Sequence, residues 1–406
     1  AFGNTWEPLK IAAPLNLSKS IAFGNVTKLF GRSLGYNFGF QYKANNQFYD
    51  NGNTGRFLLT GSEAEKSELD VQRQFSDARG TRSVYTSALF NLGYDLSSNS
   101  KIGLTFMPNA SGINDARHQD GINPSDAVGL GQQQRQQRYL ERGMNIFQLR
   151  GEHRLSDQRN HKVAWSSSYT VGKQTTPDLR LFINSYEELP GGVVYTDAEG
   201  NDVTDDALAL LADGENLTEY FPDYTVAEAE SNEVSYSIQD NLYPSPTRFF
   251  RHMHNTTLDL KLNFEQPIAR DWGEDNKLML GGSWVRRTRD YSENRYSFVS
   301  QGVEYNGNPN DYFSHENMNV IPGTSAEATN YLYLRDDTDI QNSYDASQSV
   351  MGIYSMVNFA PTEKLRLNGG VRVEATDMRL ESDKLNDETL LPELQENFLG
   401  TLNVVD

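Results

Sequence analysis

Several arginines in this sequence have the spacing of an anion-binding group. Arg286, Arg287 and Arg289 occur in WVRRTRDY, and Arg295 follows shortly after. Guanidinium groups bind oxyanions through paired, charge-assisted hydrogen bonds, so the cluster suits an anionic ligand or a phosphate group. The alternative interpretation is that these arginines pair with acidic residues of neighbouring loops.

Two histidines have the spacing of metal ligands. His252 and His254 lie two residues apart in RHMH, which places them on one face of a β-strand. Two imidazoles on one face can share a metal such as haem iron or copper. The alternative is a pair of solvated histidines, or histidines that pack among aromatic side chains.

Acidic stretches offer oxygen ligands for calcium. They are the segment from Glu187 to Asp240, which includes DAEGND (197–202), and DDTD at 336–339. Neither stretch has the D-x-D-x-D-G spacing of an EF-hand. A solvated acidic surface is therefore the default interpretation, no cofactor is expected, and calcium in the acidic loops is the alternative.

Catalytic motifs give no support for an enzyme. The sequence contains no G-x-S-x-G, no H-E-x-x-H and no phosphate-binding glycine loop. Carboxylate pairs are frequent, but in so acidic a chain they carry no information. We therefore assign no catalytic residue and expect a protein that is not an enzyme.

Composition narrows the class of protein. The 406 residues carry a net charge of −19, contain no cysteine and have a mean hydropathy of −0.64. The acidic balance argues against nucleic-acid binding, and the lack of cysteine excludes disulfides and thiolate metal sites. No run of about 18 apolar residues could form a transmembrane helix. Alternating transmembrane strands remain compatible, because they average to polar on a hydropathy scale.

An alternation of apolar and polar residues recurs along the chain. In LGYNFGFQYK the residues Leu34, Tyr36, Phe38, Phe40 and Tyr42 alternate with small or polar ones, which predicts a β-strand. Segments with this period are 15–26, 34–43, 84–96, 102–108, 146–155, 163–172, 257–266, 277–284, 351–359 and 365–376. These ten predicted strands are roughly as long as a tilted strand that crosses a bilayer.

The connections between these segments alternate in length. Those near 27–33, 97–101, 156–162, 266–277 and 360–364 are short, and those near 50–80, 113–135, 176–248, 299–340 and 381–398 are long. Short turns at one end and long loops at the other are typical of outer-membrane barrels. The longest connection has no Lys or Arg between Leu181 and Thr247, and TDDALALLADG (204–214) predicts a helix that Thr204 caps and Gly214 ends.

Charged residues alternate with the apolar ones on several strands. Leu258, Leu260, Leu262 and Phe264 alternate with Asp259, Lys261 and other polar residues, and Arg366, Arg372 and Glu374 alternate with leucine and valine. In a barrel the apolar face meets lipid and the charged face lines a wet lumen or an internal domain. A soluble β-sandwich is the alternative, with the charged face on its outer surface.

Four segments have patterns that are found together in one known protein family. They are APLNLSKSIAFGN (13–25), YLERGMNIFQLRGEHRL (139–155), the hairpin from FFRHMHNTTLDLKLNFEQ to NKLMLGGSWVRRTRDYSENRYSF (249–298), and YDASQSVMGIYSMVNFAPTEKLRLNGGVRVEAT (344–376). Together they cover most of the chain, and they resemble the barrels of TonB-dependent outer-membrane receptors.

The resemblance implies a 22-stranded barrel with an N-terminal plug that engages TonB. It makes residues 1–406 part of the barrel domain, with 10–11 of the strands and a long acidic extracellular loop at 176–248. We expect an interior piece of a longer polypeptide, without the plug or the C-terminal strands. Asp259, Lys261, Arg366, Arg372 and Glu374 would then face the lumen or plug.

The resemblance also implies a function and a set of partners. We expect a receptor in the outer membrane of a Gram-negative bacterium that binds a nutrient at the cell surface and imports it with energy from TonB. Its partners would be the nutrient, outer-membrane lipid and lipopolysaccharide, the TonB complex through the plug, and a surface lipoprotein, with no nucleic acid. The alternatives are a passive porin-like or structural barrel and a soluble β-rich surface binding module.

Overall fold

A computed structural model describes most of the chain. The described residues are 5–59, 69–124, 128–155, 161–189, 193–228, 234–238, 246–268, 276–318, 330–362 and 364–382. The long connection expected near 381–398 lies almost wholly outside them. No helix among the described residues is long and apolar enough to cross a membrane.

Ten long strands dominate the fold. Numbered in chain order, they are β1 Leu17–Leu29, β2 Arg32–Leu58, β3 Asp70–Ser97, β4 Ser100–Ile122, β5 Gly131–Arg154, β6 Lys162–Glu188, β10 Thr247–Pro267, β11 Lys277–Gln301, β13 Tyr344–Thr362 and β14 Leu365–Ser382. Each contains one of the ten strands that the alternation predicts, apart from differences of a few residues at the ends.

Short elements occupy the connections. They are β7 Val193–Thr196, β8 Thr225–Glu228, β9 Val234–Ser237, β12 Tyr331–Asp336, α1 Thr204–Ala212, α2 Leu217–Tyr220, α3 Pro309–Tyr312, α4 His315–Met318 and a 3₁₀ turn Ile340–Asn342.

The long strands form one antiparallel sheet. Each pairs with its neighbours in the order β1-β2-β3-β4-β5-β6-β10-β11-β13-β14, and β9 and β12 add to β6 and β11. Only short hairpins and one-sided long connections join them, so sequence neighbours are also neighbours in the sheet. Within the described residues β1 and β14 do not pair with each other, and the sheet is open.

The β1–β2 hairpin shows how local sequence sets the register. Phe30 and Gly31 both have positive φ, 50° and 73°, which is the conformation of a two-residue type I′ turn. Leu29 therefore pairs directly with Arg32, and the register runs without a shift to Leu17 opposite Ala44. This register pairs Phe23 with Phe38, in contact at 5.2 Å between ring centroids.

The strands are longer than the sequence predicts, and two of the expected long loops are wrong. Most of 50–80 and 113–135 belongs to β2–β3 and β4–β5, whose connections are only 59–69 and 123–130. The expected loop at 176–248 likewise narrows to 189–246, and that at 299–340 becomes 302–343. The outer halves of β2 to β5 are mostly polar on both faces, so they lack the alternation that identifies the other halves.

The acidic connection between β6 and β10 has its own small structure. β7 pairs with β8, and α1 and α2 lie between them. Gly214 has φ +78° just after α1, as the sequence predicts for a helix stop. Thr204 is the first residue of α1 and not its cap. Its hydroxyl donates a hydrogen bond to Asp202 and accepts one from the backbone of Tyr195.

A buried aromatic cluster lies at the long-loop end of the sheet. Trp6 stacks on Phe313 with 4.3 Å between ring centroids, and both side chains are almost fully buried. The complete cluster is Trp6, Phe182, Phe298, Tyr305, Tyr312, Phe313 and Leu332. It joins the N-terminal segment to the connection between β11 and β13, and thereby fixes both against β6 and β11.

We expect Phe313→Ala to loosen this connection without opening the sheet. Truncating a buried Phe typically costs about 3–5 kcal/mol, and here the loss would fall on the local opening of 302–318. Hydrogen exchange of the Tyr312 and Phe313 amides, which bond to Asn308 and Pro309, should accelerate. Tyr220→Ala is the control, because Tyr220 is half exposed on another connection. Equal exchange in wild type and Phe313→Ala would contradict the prediction.

Candidate functional site

A continuous apolar band crosses one face of the sheet. Directly paired residues of an antiparallel sheet point to the same side, so the register determines which residues share a face. The band consists of Ile21, Phe23, Leu34, Tyr36, Phe38, Phe40, Tyr42, Phe90, Leu92, Tyr94, Ile102, Leu104, Phe106, Phe147, Leu149, Val163, Trp165, Tyr169, Leu258, Leu260, Leu262, Phe264, Leu278, Leu280, Trp284, Met351, Ile353, Leu367, Val371 and Val373.

All the residues expected to face lipid lie in this band. The group from Leu34 to Tyr42 and the group from Leu258 to Phe264 are on different strands, yet the intervening pairs place both groups on the same side. Many band residues are exposed, including Phe23 at 56 % and Leu262 at 57 %. No described segment covers these two side chains, so the band offers an extended apolar surface to its surroundings.

The band crosses the strands obliquely. The row of paired residues that starts at Phe38 continues through Phe90, Phe106, Phe147, Tyr169, Leu258, Arg286 and Ser349 to Asp377. On β14, however, the apolar residues Leu367, Val371 and Val373 centre about seven residues away from Asp377, towards the short-turn end. The band thus shifts by about 23 Å over the eight strand steps, which span about 38 Å.

This shift corresponds to a strand tilt of about 30° relative to the normal of the band. Strands of closed barrels tilt by roughly 35–45°, and a membrane of constant height would cut such strands along an oblique line. The apolar band therefore has the geometry of a surface that meets a flat apolar layer.

The arginine cluster is divided between the two faces. Arg286 pairs with Leu258 and Ser349 and lies on the band face, whereas Arg287, Arg289 and Arg295 lie on the opposite, polar face. The interpretation of all four as one group is wrong, because successive strand residues point to opposite sides. Arg286 lies just beyond the band, because the oblique band has already shifted away from its row at β11.

The expected lumen-facing charges share the polar face and pair locally. Lys261 Nζ lies 3.1 Å from Asp259 Oδ2, and Arg372 Nε donates to Glu374 Oε1 at 2.8 Å. Register alternation puts Arg366 on the same face. At the level of the band the polar face is therefore charged but nearly balanced.

A group of cations follows at the long-loop side of the band. The polar-face rows through Met253, Asn255 and Thr257 contain Lys43, Arg142, Arg287 and Arg289. Within the strands β2 to β14 these three rows contain no carboxylate. We call these four residues the cationic tier. Lys43 and Arg142 were missed from the sequence, because only the register shows that they share a row.

Buried ion pairs lie beyond the cationic tier on the same face. Arg117 donates to both carboxylate oxygens of Asp77 at 2.8 Å, and the Tyr49 hydroxyl donates to the same group at 2.8 Å. These bonds lower the pKa of Asp77, with the Arg117 bond as the largest cause and burial as an opposing one. Arg79 pairs with the fully buried Asp115 at 2.7 Å.

Ion pairs also lie on the band face in this outer region. Arg135 Nε contacts Glu7 Oε2 at 2.5 Å and His118 Nδ1 lies 3.6 Å from the same carboxylate. Burial raises the pKa of Glu7, but the His118 hydrogen bond and the Arg135 charge outweigh it and leave the pKa lowered. Arg248 and Arg180 both contact Asp178, which ties β6 to β10.

A cavity of about 760 Å³ adjoins the aromatic cluster. Tyr236, Tyr305, Tyr312 and Glu304 line it together with residues of β9 and of the connection after β11. Burial raises the pKa of Tyr305, so this phenol stays protonated. The cavity lies at the long-loop end and can hold a small solute between aromatic rings and polar groups.

Among the described residues, neither the histidine pair nor the acidic stretches form a metal-binding group. His252 and His254 share the band face of β10, opposite Ser292 and Asp290, but the described residues contain no group of three or more His, Cys, Asp and Glu that could hold a metal ion. Asp197 accepts hydrogen bonds from Asn201 and Glu199, and Asp337 pairs with Arg335. These carboxylates stabilise their own turns. The metal and calcium sites stay predictions.

Comparison with known proteins gives little. No protein-family model matches the chain, and no curated protein matches it significantly. A solved structure of the RagAB peptide importer in the closed-closed state aligns with 91% of this chain and 44% of its own chain, at 9% identity and a TM-score of 0.21. The chain thus spans less than half the length of that protein.

We expect Asp77→Asn to destabilise the outer half of β3 and β4. The change leaves the partly buried Arg117 without its carboxylate, which should cost about 1–3 kcal/mol. Amides of 74–82 and 115–122 should exchange faster with solvent. Asp50→Asn is the control, because the Asp50 pair with Lys10 is solvent-exposed.

The pH dependence of this region follows from the same pair. Since the folded pKa of Asp77 is lowered, the pair stabilises the fold above the ordinary carboxyl pKa and loses that effect as pH falls through the lowered value. Wild type and Asp77→Asn should therefore differ at pH 7 and converge in strong acid. A constant difference down to strong acid would contradict this assignment.

Proposed function

We propose that this chain forms part of the barrel of a TonB-dependent outer-membrane receptor, which binds a nutrient at the cell surface and imports it. The oblique apolar band carries this proposal. It supports a wall that meets lipid on one face and encloses a polar lumen on the other. The sequence patterns at 139–155, 249–298 and 344–376 support the TonB-dependent class within such barrels.

The strand lengths fit the same proposal. A strand of 27 residues, such as β2 or β6, is about 90 Å long, and at a tilt of about 30° it spans more than twice the roughly 30 Å hydrocarbon core. The band occupies only the part near the short turns. The remaining halves would project outward and present the cavity and the long connections to the exterior, where capture of a nutrient must begin.

Energy dependence tests the proposed transport. Deleting the gene in its native bacterium should abolish uptake of one nutrient among defined iron and carbon sources. A protonophore, or removal of TonB, should stop that uptake in the wild type, because import requires energy from the inner membrane. Uptake that continues after either treatment would indicate a passive pore and would refute the TonB-dependent mechanism.

Two neighbouring serines test the membrane orientation. Ser167 lies on the band face between Leu149 and Leu260, and Ser168 lies on the polar face between Gln148 and Asp259. Ser167→Arg would place a charge in lipid, at a cost of about 2–4 kcal/mol near the bilayer midplane. Ser168→Arg is the matched control, because the same arginine would face the lumen beside Asp259.

The measurement is the free energy of unfolding of the full-length protein in lipid bilayers, with the outer-membrane level in cells. Ser167→Arg should lower both, while Ser168→Arg stays near wild type. Equal effects of the two changes would refute the lipid-facing assignment of the band, as would a full-length protein that stays soluble without detergent.

A further inference from the structure

The arginines of the cationic tier are held by neutral amides. Arg142 Nε donates to Gln174 Oε1 at 2.8 Å, Arg287 Nη1 to Gln348 Oε1 at 2.9 Å, and Arg289 Nε to Asn255 Oδ1 at 2.8 Å. An amide oxygen orients a guanidinium but does not neutralise it. All three side chains are exposed, so their remaining N–H groups stay accessible for a bound solute.

Several other cations of the polar face pair with carboxylates. At the level of the apolar band Lys261 pairs with Asp259, and beyond the tier Arg117 pairs with Asp77 and Arg251 with Glu293. The tier lies between these two carboxylate-paired zones. It is therefore a confined strip of positive potential in a chain whose net charge is −19.

We propose that the ligand imported by this protein carries several oxyanion groups, and that the cationic tier binds them. The inference rests on the import function proposed above and specifies the chemistry of the ligand. Carboxylates, sulfates and phosphates all accept paired hydrogen bonds from guanidinium groups.

The spacing of the tier indicates an extended ligand. Lys43 on β2, Arg142 on β5 and Arg289 on β11 are separated by three strand steps each, which is about 14 Å along the sheet. Arg287 and Arg289 are two residues apart on one strand, about 7 Å. No single small anion spans these distances. A chain with acidic groups at intervals, such as an oligosaccharide of uronic acids, could contact several of them at once.

Neighbouring arginines provide a matched test. Arg287 and Arg286 are adjacent and both exposed, but they lie on opposite faces. We would compare R287Q/R289Q and R142Q with R286Q in the purified full-length protein, all of which remove exposed positive charge. The probes are a uronic-acid tetrasaccharide, tetrapolyphosphate and a neutral maltotetraose of similar length.

R287Q/R289Q should raise the Kd for an acidic probe at least tenfold, and R142Q severalfold, with R286Q within about twofold of wild type. Binding to wild type should weaken steeply with salt, and maltotetraose should not bind. Preference for the tetrasaccharide or for tetrapolyphosphate distinguishes carboxylate from phosphate ligands. Similar Kd values in R287Q/R289Q and R286Q, or stronger binding of maltotetraose, would overturn the proposal.

The acidic connection at 193–228 is the rival occupant of the tier. If it docks there, R287Q/R289Q should accelerate hydrogen exchange in 193–228 and leave probe binding unchanged, which would also overturn the proposal. Failure of the proposed transport mechanism would give a different result. In that case uptake would be insensitive to a protonophore, while the difference between R287Q/R289Q and R286Q in probe binding persists.

Discussion

Backbone pairing between ten neighbouring antiparallel strands is the constraint on which the other features depend. Each row of paired residues lies on one face, so a slip of one residue would transfer a whole strand's apolar side chains to the other side. The band and the cationic tier exist as separate surfaces only because the register runs without a shift through their rows from β2 to β14. The single extra residue of β6 near Thr176 reverses the alternation there and turns Phe182 towards the band face, where the aromatic cluster forms.

Sequence alternation identifies the strand segments that carry the apolar band. It misses the strand segments outside the band, where neither face is apolar. Phe38, Leu260 and Val371 lie in the band, and the alternation around each of them predicts its strand. The stretch GQQQRQQR at 131–138 is equally a strand, yet both of its faces are polar and it shows no period. Its strand conformation depends on long-range pairing with β4 and β6, which no local pattern contains.

The candidate site shows a similar limit. Arg286, Arg287 and Arg289 are neighbours in the sequence, but only the last two share a face, and Arg142 lies on that face while Arg286 does not. The shared face follows only from the register of the four strands β5, β6, β10 and β11. Their pairing has no bulge between the row of Arg142 and the rows of Arg287 and Arg289. Trp6 and Phe313 are more distant still, because 307 positions separate them, and nothing in either segment indicates the contact.

The choice of partner distinguishes arginines that stabilise the fold from arginines that remain available. Arg117 lies against a buried carboxylate whose charge cancels its own. Burial makes each charge costly by itself, but the low dielectric also strengthens the attraction between the two. Arg289 lies against an amide, keeps its charge and stays exposed to water. Both kinds occur on one face within a few rows, so the polarity of that face alone does not explain them. In the proposed barrel, a lumen wall that only had to be wetted could use neutral polar side chains, as β6 does at Ser166 and Ser168. Cations that lack carboxylate partners on this wall fit the proposed ligand, which would bring the negative charge itself.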